Sequence, residues 1–200
     1  MRLSKLLSII FHPIFMPIMS IYLSIRLIPS VGIIVQNYIS YVYLILILCT
    51  IILPIINVFF LIKTKYIDSI EMSNYKQRSL PLFLSSIWLL LGYYHLNELL
   101  VFSPTLRAIL ISTLVVGVVS TIVSKYWKIS LHMLGAGGLV GVIFSLNSLF
   151  GGIQTALVIS ILFSGMLGVA RIYENAHNHS QIYVGFSVGF IIVAYVMLII

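Results

Sequence analysis

Long apolar runs, interrupted at intervals by short polar clusters, fill this chain from one end to the other. A membrane-spanning helix needs about 20 consecutive, mostly apolar residues. Seven such runs can be marked: Leu6–Ile25, Ile39–Ile62, Leu80–Leu100, Leu106–Ser124, Ile129–Phe150, Ile153–Ala170 and Gln181–Ile200. The expected fold is all-α, a polytopic transmembrane helical bundle of about seven spans, with six as the alternative count. It forms a single domain over residues 1–200.

Breaks in the pattern place the turns. Between Arg26 and Lys63 no charge occurs, but Pro29, Gly32, Gln36 and Asn37 divide the run into two spans. Between Lys128 and Arg171 the division falls at Asn147, Ser148, Gly151 and Gly152. Ser103-Pro104 suits an N-cap and first helical residue. Pro13, Pro17 and Pro54 lie inside spans, where neighbouring helices can re-satisfy the carbonyls that proline frees. Arg2 and Lys5 ahead of an apolar stretch resemble a signal peptide. The stretch is long and no small-x-small cleavage site follows, so it reads as an uncleaved first span.

Composition supports the membrane reading. Hydrophobic residues make up 61% of the 200 and charged residues 8%, against roughly 25% charged in an average soluble domain. So few charges cannot cover a soluble surface. A soluble globular domain, a disordered chain and a basic-patch nucleic-acid binder are all excluded. The single cysteine, Cys49, excludes an intramolecular disulfide and a cysteine metal cluster.

The net charge of +7 is unevenly placed. Counting spans by parity, nine of the eleven Lys and Arg fall on one side, and only Arg26 and Arg107 fall on the other. Setting aside Lys76, Arg78 and Arg171 as possible ligands still leaves six against two. By the positive-inside rule the charged side is cytoplasmic, with the outer face as the alternative, and the expected location is a bacterial inner membrane.

Candidate chemistry gathers on that same side. Lys76 and Arg78 stand at the entry to the third span, Lys128, Ser130 and His132 at the start of the fifth, Arg171 at the end of the sixth, and His177 with Gln181 at the start of the seventh. A helix N-terminus at Ser130 and Leu131 offers free N–H groups to an anion. Arginine suits tetrahedral oxyanions because its planar fork donates parallel hydrogen bonds. His177 and Gln181 are four residues apart, so they share a face if the helix begins near His177. The Gln181 carbonyl can then accept from one ring nitrogen and leave the other free as a nucleophile. His132 matters because ionisable groups at membrane depth are functional by default. His12 is expected either to line the site or, as the favoured reading, to cap a carbonyl exposed beside Pro13. His179 reads as a solvated neighbour, and His95, Asn97 and Glu98 as interfacial residues near the far end of the third span.

These residues resemble the superfamily of type 2 phosphatidic acid phosphatases and vanadium-dependent haloperoxidases. The family pattern is Lys-x6-Arg-Pro, then Pro-Ser-Gly-His, then Ser-Arg-x5-His-x3-Asp. Here Ala170-Arg171, five residues, His177, three residues and Gln181 keep the spacing of the third part. Ile129-Ser130-Leu131-His132 stands for the second. The first is represented by Arg78, with Pro81 three residues on and Glu71 where the family has lysine. The resemblance covers about residues 71–189. It implies that His177 attacks phosphorus to form a phosphohistidine and that His132 protonates the leaving group. Arg78, Arg171 and the Ser130 backbone and hydroxyl would hold the phosphoryl oxygens. It implies no metal or other cofactor. Lys76 or Lys128 would replace the family lysine in space.

Three functions follow as expectations. The first is a phosphatase of lipid phosphates or polyprenyl diphosphates, with a membrane lipid as its partner. The second is a catalytically weakened member that binds a lipid phosphate head group, because Gln181 cannot supply the charge of the family aspartate. The third is a carrier for an anionic solute, ranked last for want of an inverted repeat or deep charges. Glycines on the last three spans (Gly135, Gly137, Gly138, Gly141, Gly165, Gly168, Gly185 and Gly189) predict close helix approach there.

Overall fold

The structure is a computed structural model that describes residues 3–70, 72 and 74–200. Arg2 and Glu71, which enter the charge count and the family comparison, lie outside the described residues. The helices are α1 (Leu3–Ile10), α2 (Met16–Leu27), α3 (Pro29–Val35), α4 (Ile39–Ile47), α5 (Leu53–Lys63), α6 (Ser79–Leu100), α7 (Pro104–Tyr126), α8 (Leu131–Phe150), α9 (Gln154–Tyr173) and α10 (His179–Ile199). Together they make seven stretches long and apolar enough to cross a membrane, running Ser4–Leu27, Ile39–Lys63, Tyr75–Leu100, Pro104–Tyr126, Leu131–Phe150, Gln154–Tyr173 and His179–Ile199. The protein is an all-α helical bundle of the integral membrane kind.

Two spans are interrupted. In the first, α1 ends at Ile10 and α2 begins at Met16, with a 3-10 turn over Pro13–Phe15 between them. Pro13 has no N–H to continue a helix. The His12 ring takes over the lost capping role, with Nδ1 accepting the Ile14 N–H at 3.3 Å. In the second span, a π-helical turn over Leu48–Ile52 joins α4 to α5 just before Pro54, where the proline removes one backbone donor. Non-helical backbone at membrane depth is tolerated where it is buried in protein or faces a cavity, and both breaks face the cavity described below.

The linker between the first two spans differs from the expected turn, because Pro29 at a helix start permits a further short helix, α3. Pro104 does begin α7, but Ser103 makes no side-chain capping bond. Asn147, by contrast, closes its turn: its Oδ1 accepts the Ile153 N–H, and Gly151 and Gly152 turn the chain at φ 72° and 77°.

α8 is the central helix, with 67% of its apolar stretch buried against 17–39% in the other six. It crosses α10 at a seam of small residues. A Cβ on Gly137 would strike the Phe186 carbonyl, and one on Gly189 would strike the Leu134 carbonyl. Gly185 and Gly141 lie similarly close to the Ser130 and Phe190 carbonyls. The expected glycine face is therefore real on α8 and α10. It does not extend to Gly165 of α9, which has open space beside it, nor to Gly135, which packs against Met16 and Pro13 of the first span. The main apolar core, with Ile28, Leu96, Leu100, Leu106, Ile109 and Leu146, fills the half of the bundle near the ends of α2, α6 and α8. The other half holds a cavity.

Candidate functional site

A cavity of about 1190 Å³ opens between the first three spans, α7, α8 and the α9–α10 loop. Its mouth gathers Lys5, Arg78, Lys128, Arg171, Glu174, His12, His132 and His177. Lys5, Arg78, Lys128 and Arg171 come from four parts of the chain that the parity count places on one side. Four cations against one carboxylate give the mouth a positive balance.

His177 is buried and sits just before α10. Asn178 caps that helix: its side chain accepts the Gln181 N–H at 2.9 Å, and Gln181 Oε1 accepts the Asn178 N–H at 3.3 Å. The same Gln181 oxygen lies 2.9 Å from His177 Nδ1. An N-terminal capping box (polar side chains pairing reciprocally with backbone N–H groups) is a local consequence of Asn at the N-cap and Gln at the third helical residue. Here it also orients the histidine. Burial lowers the His177 pKa to about 4, helped by the charges of Arg78, Arg171 and Lys128 and opposed by the Gln181 bond. His177 is therefore a neutral imidazole at neutral pH. Burial, then the charges of Arg78 and Arg171, also lowers the Lys128 pKa.

Arg171 projects from the last turn of α9 into a network that the sequence pattern did not reveal. Its Nη1 donates to Ser8 Oγ at 3.1 Å and pairs with Glu174 Oε2 at 3.0 Å. Ser8 Oγ in turn donates to Glu174 Oε2 at 3.3 Å. Nη1 is the one Arg171 nitrogen that makes hydrogen bonds among the described residues, so the Nη2 donors remain available, while the buried Nε has no partner. His132, on the first turn of α8, places Nε2 at 3.0 Å from the Ser8 carbonyl. A carbonyl only accepts, so Nε2 carries the proton. The His12 ring meets the His132 ring edge-on, with centroids 5.2 Å apart. His12 lines the cavity, the less favoured of the two expectations, and it caps an N–H rather than a carbonyl.

The sequence-predicted residues thus divide. His177, His132, Arg171, Arg78 and Lys128 line one cavity, and Gln181 supports His177 from behind. Arg78 Nε donates to the Met72 carbonyl at 3.1 Å, which anchors its side chain beside the mouth. Ser130 is fully buried outside the cavity lining. Its N–H donates to the Gln181 carbonyl at 3.3 Å, and its Oγ accepts the Met133 N–H at 3.5 Å. The expectation of a free Ser130 N–H is therefore corrected: α10 packs close enough to take it. Lys76 is exposed and does not line the cavity. His179 is exposed and stacks on Tyr183. His95 pairs with Tyr41 outside the cavity lining.

Residues missed in the sequence left faint signals. Ser4, Ser8 and His12 recur every four residues, a polar stripe down one face of the first span. Glu174 lies three residues after Arg171, a helical-neighbour distance. Among the described residues, no three His, Cys, Asp or Glu side chains are grouped as a metal site requires. Comparison with known protein families, curated proteins and solved structures finds no match to this chain.

Proposed function

We propose that this membrane protein is a phosphatase of lipid phosphates or polyprenyl diphosphates, as its resemblance to the type 2 phosphatidic acid phosphatase superfamily implies. The observation that carries the reading is His177, neutral and held through Nδ1, at a mouth lined by Arg78, Arg171 and Lys128. With Nδ1 tied to Gln181, Nε2 keeps its lone pair and is the nucleophile.

In this reading, Nε2 attacks phosphorus and an N–P bond forms as the bond from phosphorus to the leaving oxygen breaks. His132, which takes up the proton of a monoanionic substrate phosphate, gives it to the leaving oxygen. It then takes a proton from a water that attacks the phosphohistidine, releasing inorganic phosphate and restoring His177. Arg78, Lys128 and the unpaired Nη2 of Arg171 stabilise charge spread over the equatorial oxygens, the main contribution a protein makes to phosphoryl transfer. The Lys and Arg count favours a cytoplasmic site in a bacterial inner membrane.

The test is phosphate release by purified protein from a lipid phosphate, compared with His177→Ala and Arg171→Ala. Equal release by all three rejects the reading.

A second reading is favoured by two observations: Gln181 carries no charge, and Glu174 already occupies Arg171. In it the protein binds a lipid phosphate head group without turnover. Saturable binding with no phosphate release, in the native chain and in Gln181→Asp, supports this alternative.

A further inference from the structure

The cavity does not end at the charged mouth. It continues into the bundle along α6, α7 and α8, as far as Leu89, Ser112 and Val142. From His132 to Val142 is ten residues of α8, about 15 Å at 1.5 Å per residue. That is half of a hydrocarbon core roughly 30 Å thick. Leu89, Val142 and Val193 line the cavity and also belong to the main apolar core. The close-packed half of the bundle thus forms a floor near mid-membrane. Most hydroxyls on the way down are already engaged with carbonyls of their own helices. Ser85 donates to Pro81 at 2.7 Å, Ser86 to Leu82 at 2.9 Å and Ser112 to Ile109 at 2.9 Å. A wall whose donors are mostly satisfied suits a hydrocarbon chain better than a polar solute.

We propose that the deep part of this cavity holds the hydrocarbon chain of a single-chain anionic amphiphile, with the floor at Leu89, Val142 and Val193 limiting its length. The inference rests on the head-group reading above for the anion alone. The volume of about 1190 Å³ lies slightly above the roughly 300–1,000 Å³ of ordinary ligand pockets, room for a head group and one chain. The two backbone breaks support it. The π turn places Cys49 and Thr50 on the wall, and the Pro13 break places His12 and Pro13 there. Both interruptions line the same space.

The experiment uses the full chain in lipid nanodiscs, so that detergent does not compete. Monoalkyl phosphates carrying a photoreactive diazirine at the chain end are cross-linked and the adducts mapped. Adducts at Leu89, Ser112 or Val142 are expected. Adducts confined to lipid-facing residues such as Phe163 and Tyr195 would overturn the proposal. In parallel, binding of monoalkyl phosphates of increasing chain length is measured in the native chain and in Val142→Phe. Affinity should rise with length and then level off. Val142→Phe should move the plateau to shorter chains, at least tenfold weaker for the longest, while inorganic phosphate binding is unchanged. An unmoved plateau overturns the proposal. If neutral alkyl glycosides bind with the same plateau and the phosphates show no advantage, the channel stands and the phosphate reading fails.

Discussion

Gln181 Oε1 lies 2.9 Å from His177 Nδ1 and 3.3 Å from the Asn178 N–H. The Asn178 N–H can only donate, so it determines which end of the Gln181 amide faces inward. The atom facing His177 is then oxygen, and Nδ1 must carry the ring proton. A capping interaction at the start of α10 therefore selects the histidine tautomer and leaves Nε2 open to the cavity. The first consequence is for Gln181→Asp. A carboxylate can accept the same Nδ1–H, though from a side chain one methylene shorter, and it adds charge that stabilises a developing imidazolium. Loss of the right partner in serine proteases costs on the order of 10⁴ in rate. Restoring the charge here is expected to raise turnover by at least tenfold, measured as phosphate release. Turnover unchanged or lower would show that charge at this position does not limit the reaction.

The pH profile follows from the same pair. Burial, reinforced by the surrounding cations, brings the His177 pKa to about 4, so the nucleophile stays unprotonated above that value. The acid limb of kcat/KM is expected near pH 4, well below the ordinary histidine range. In Gln181→Asp it should move upward, because a carboxylate favours the imidazolium. For stability the sign runs the same way. The unfolded chain takes up the proton first, so His177 costs stability as pH falls from about 6.5 toward 4. His177→Gln should lessen that loss in thermal unfolding.

Glu174 competes with any anion for Arg171. Removing its charge in Glu174→Gln frees the guanidinium, and a charge-assisted hydrogen bond is worth about 1.5–3 kcal/mol, roughly tenfold or more in affinity. Phosphate or alkyl phosphate should therefore bind about tenfold more tightly to Glu174→Gln. Titration calorimetry measures this directly. Weaker binding would mean that Glu174 positions Arg171 rather than competing for it.

Lys128 and Lys76 separate a cavity cation from a surface one. Lys128 lines the mouth and feels the charges of Arg78 and Arg171, whereas Lys76 is exposed and outside it. Lys128→Ala should weaken alkyl phosphate binding several-fold, and Lys76→Ala should leave it unchanged at moderate salt. Equal losses in both would point to general surface attraction instead.

The α8–α10 seam gives a stability test. Gly137→Ala and Gly189→Ala place a methyl against backbone that cannot swing aside. Overpacking of this kind costs about 1–3 kcal/mol. Gly165→Ala adds a methyl into open space and should be neutral. Denaturation in detergent compares the three.

Facing can be read by labelling. Tyr173 is 65% exposed at the end of α9 beside the mouth. It is a better reporter than Asn178, whose side chain caps α10. Tyr173→Cys in a Cys49→Ala background should react with an impermeant maleimide only from the cytoplasmic side. Reaction from outside would reverse the assignment.

The sequence by itself determined the seven spans, because hydropathy along a helix is a local property and lipid demands about 20 apolar residues wherever a helix crosses. It also pointed to the His177–Gln181 pair, although His177 precedes α10 and the two meet through the local Asn178–Gln181 capping box rather than along a helix face. The tertiary structure alone decided what depends on how helices rotate against one another. The glycine seam brings α10 onto α8 closely enough for the Gln181 carbonyl to take the Ser130 N–H. The polar stripe of the first span turns toward α9, so that Ser8 and Glu174 share Arg171. The helix interruptions of the first two spans line one cavity. Residues 163 and 166 positions apart cannot be paired by local spacing. They meet because α1 packs directly against α9.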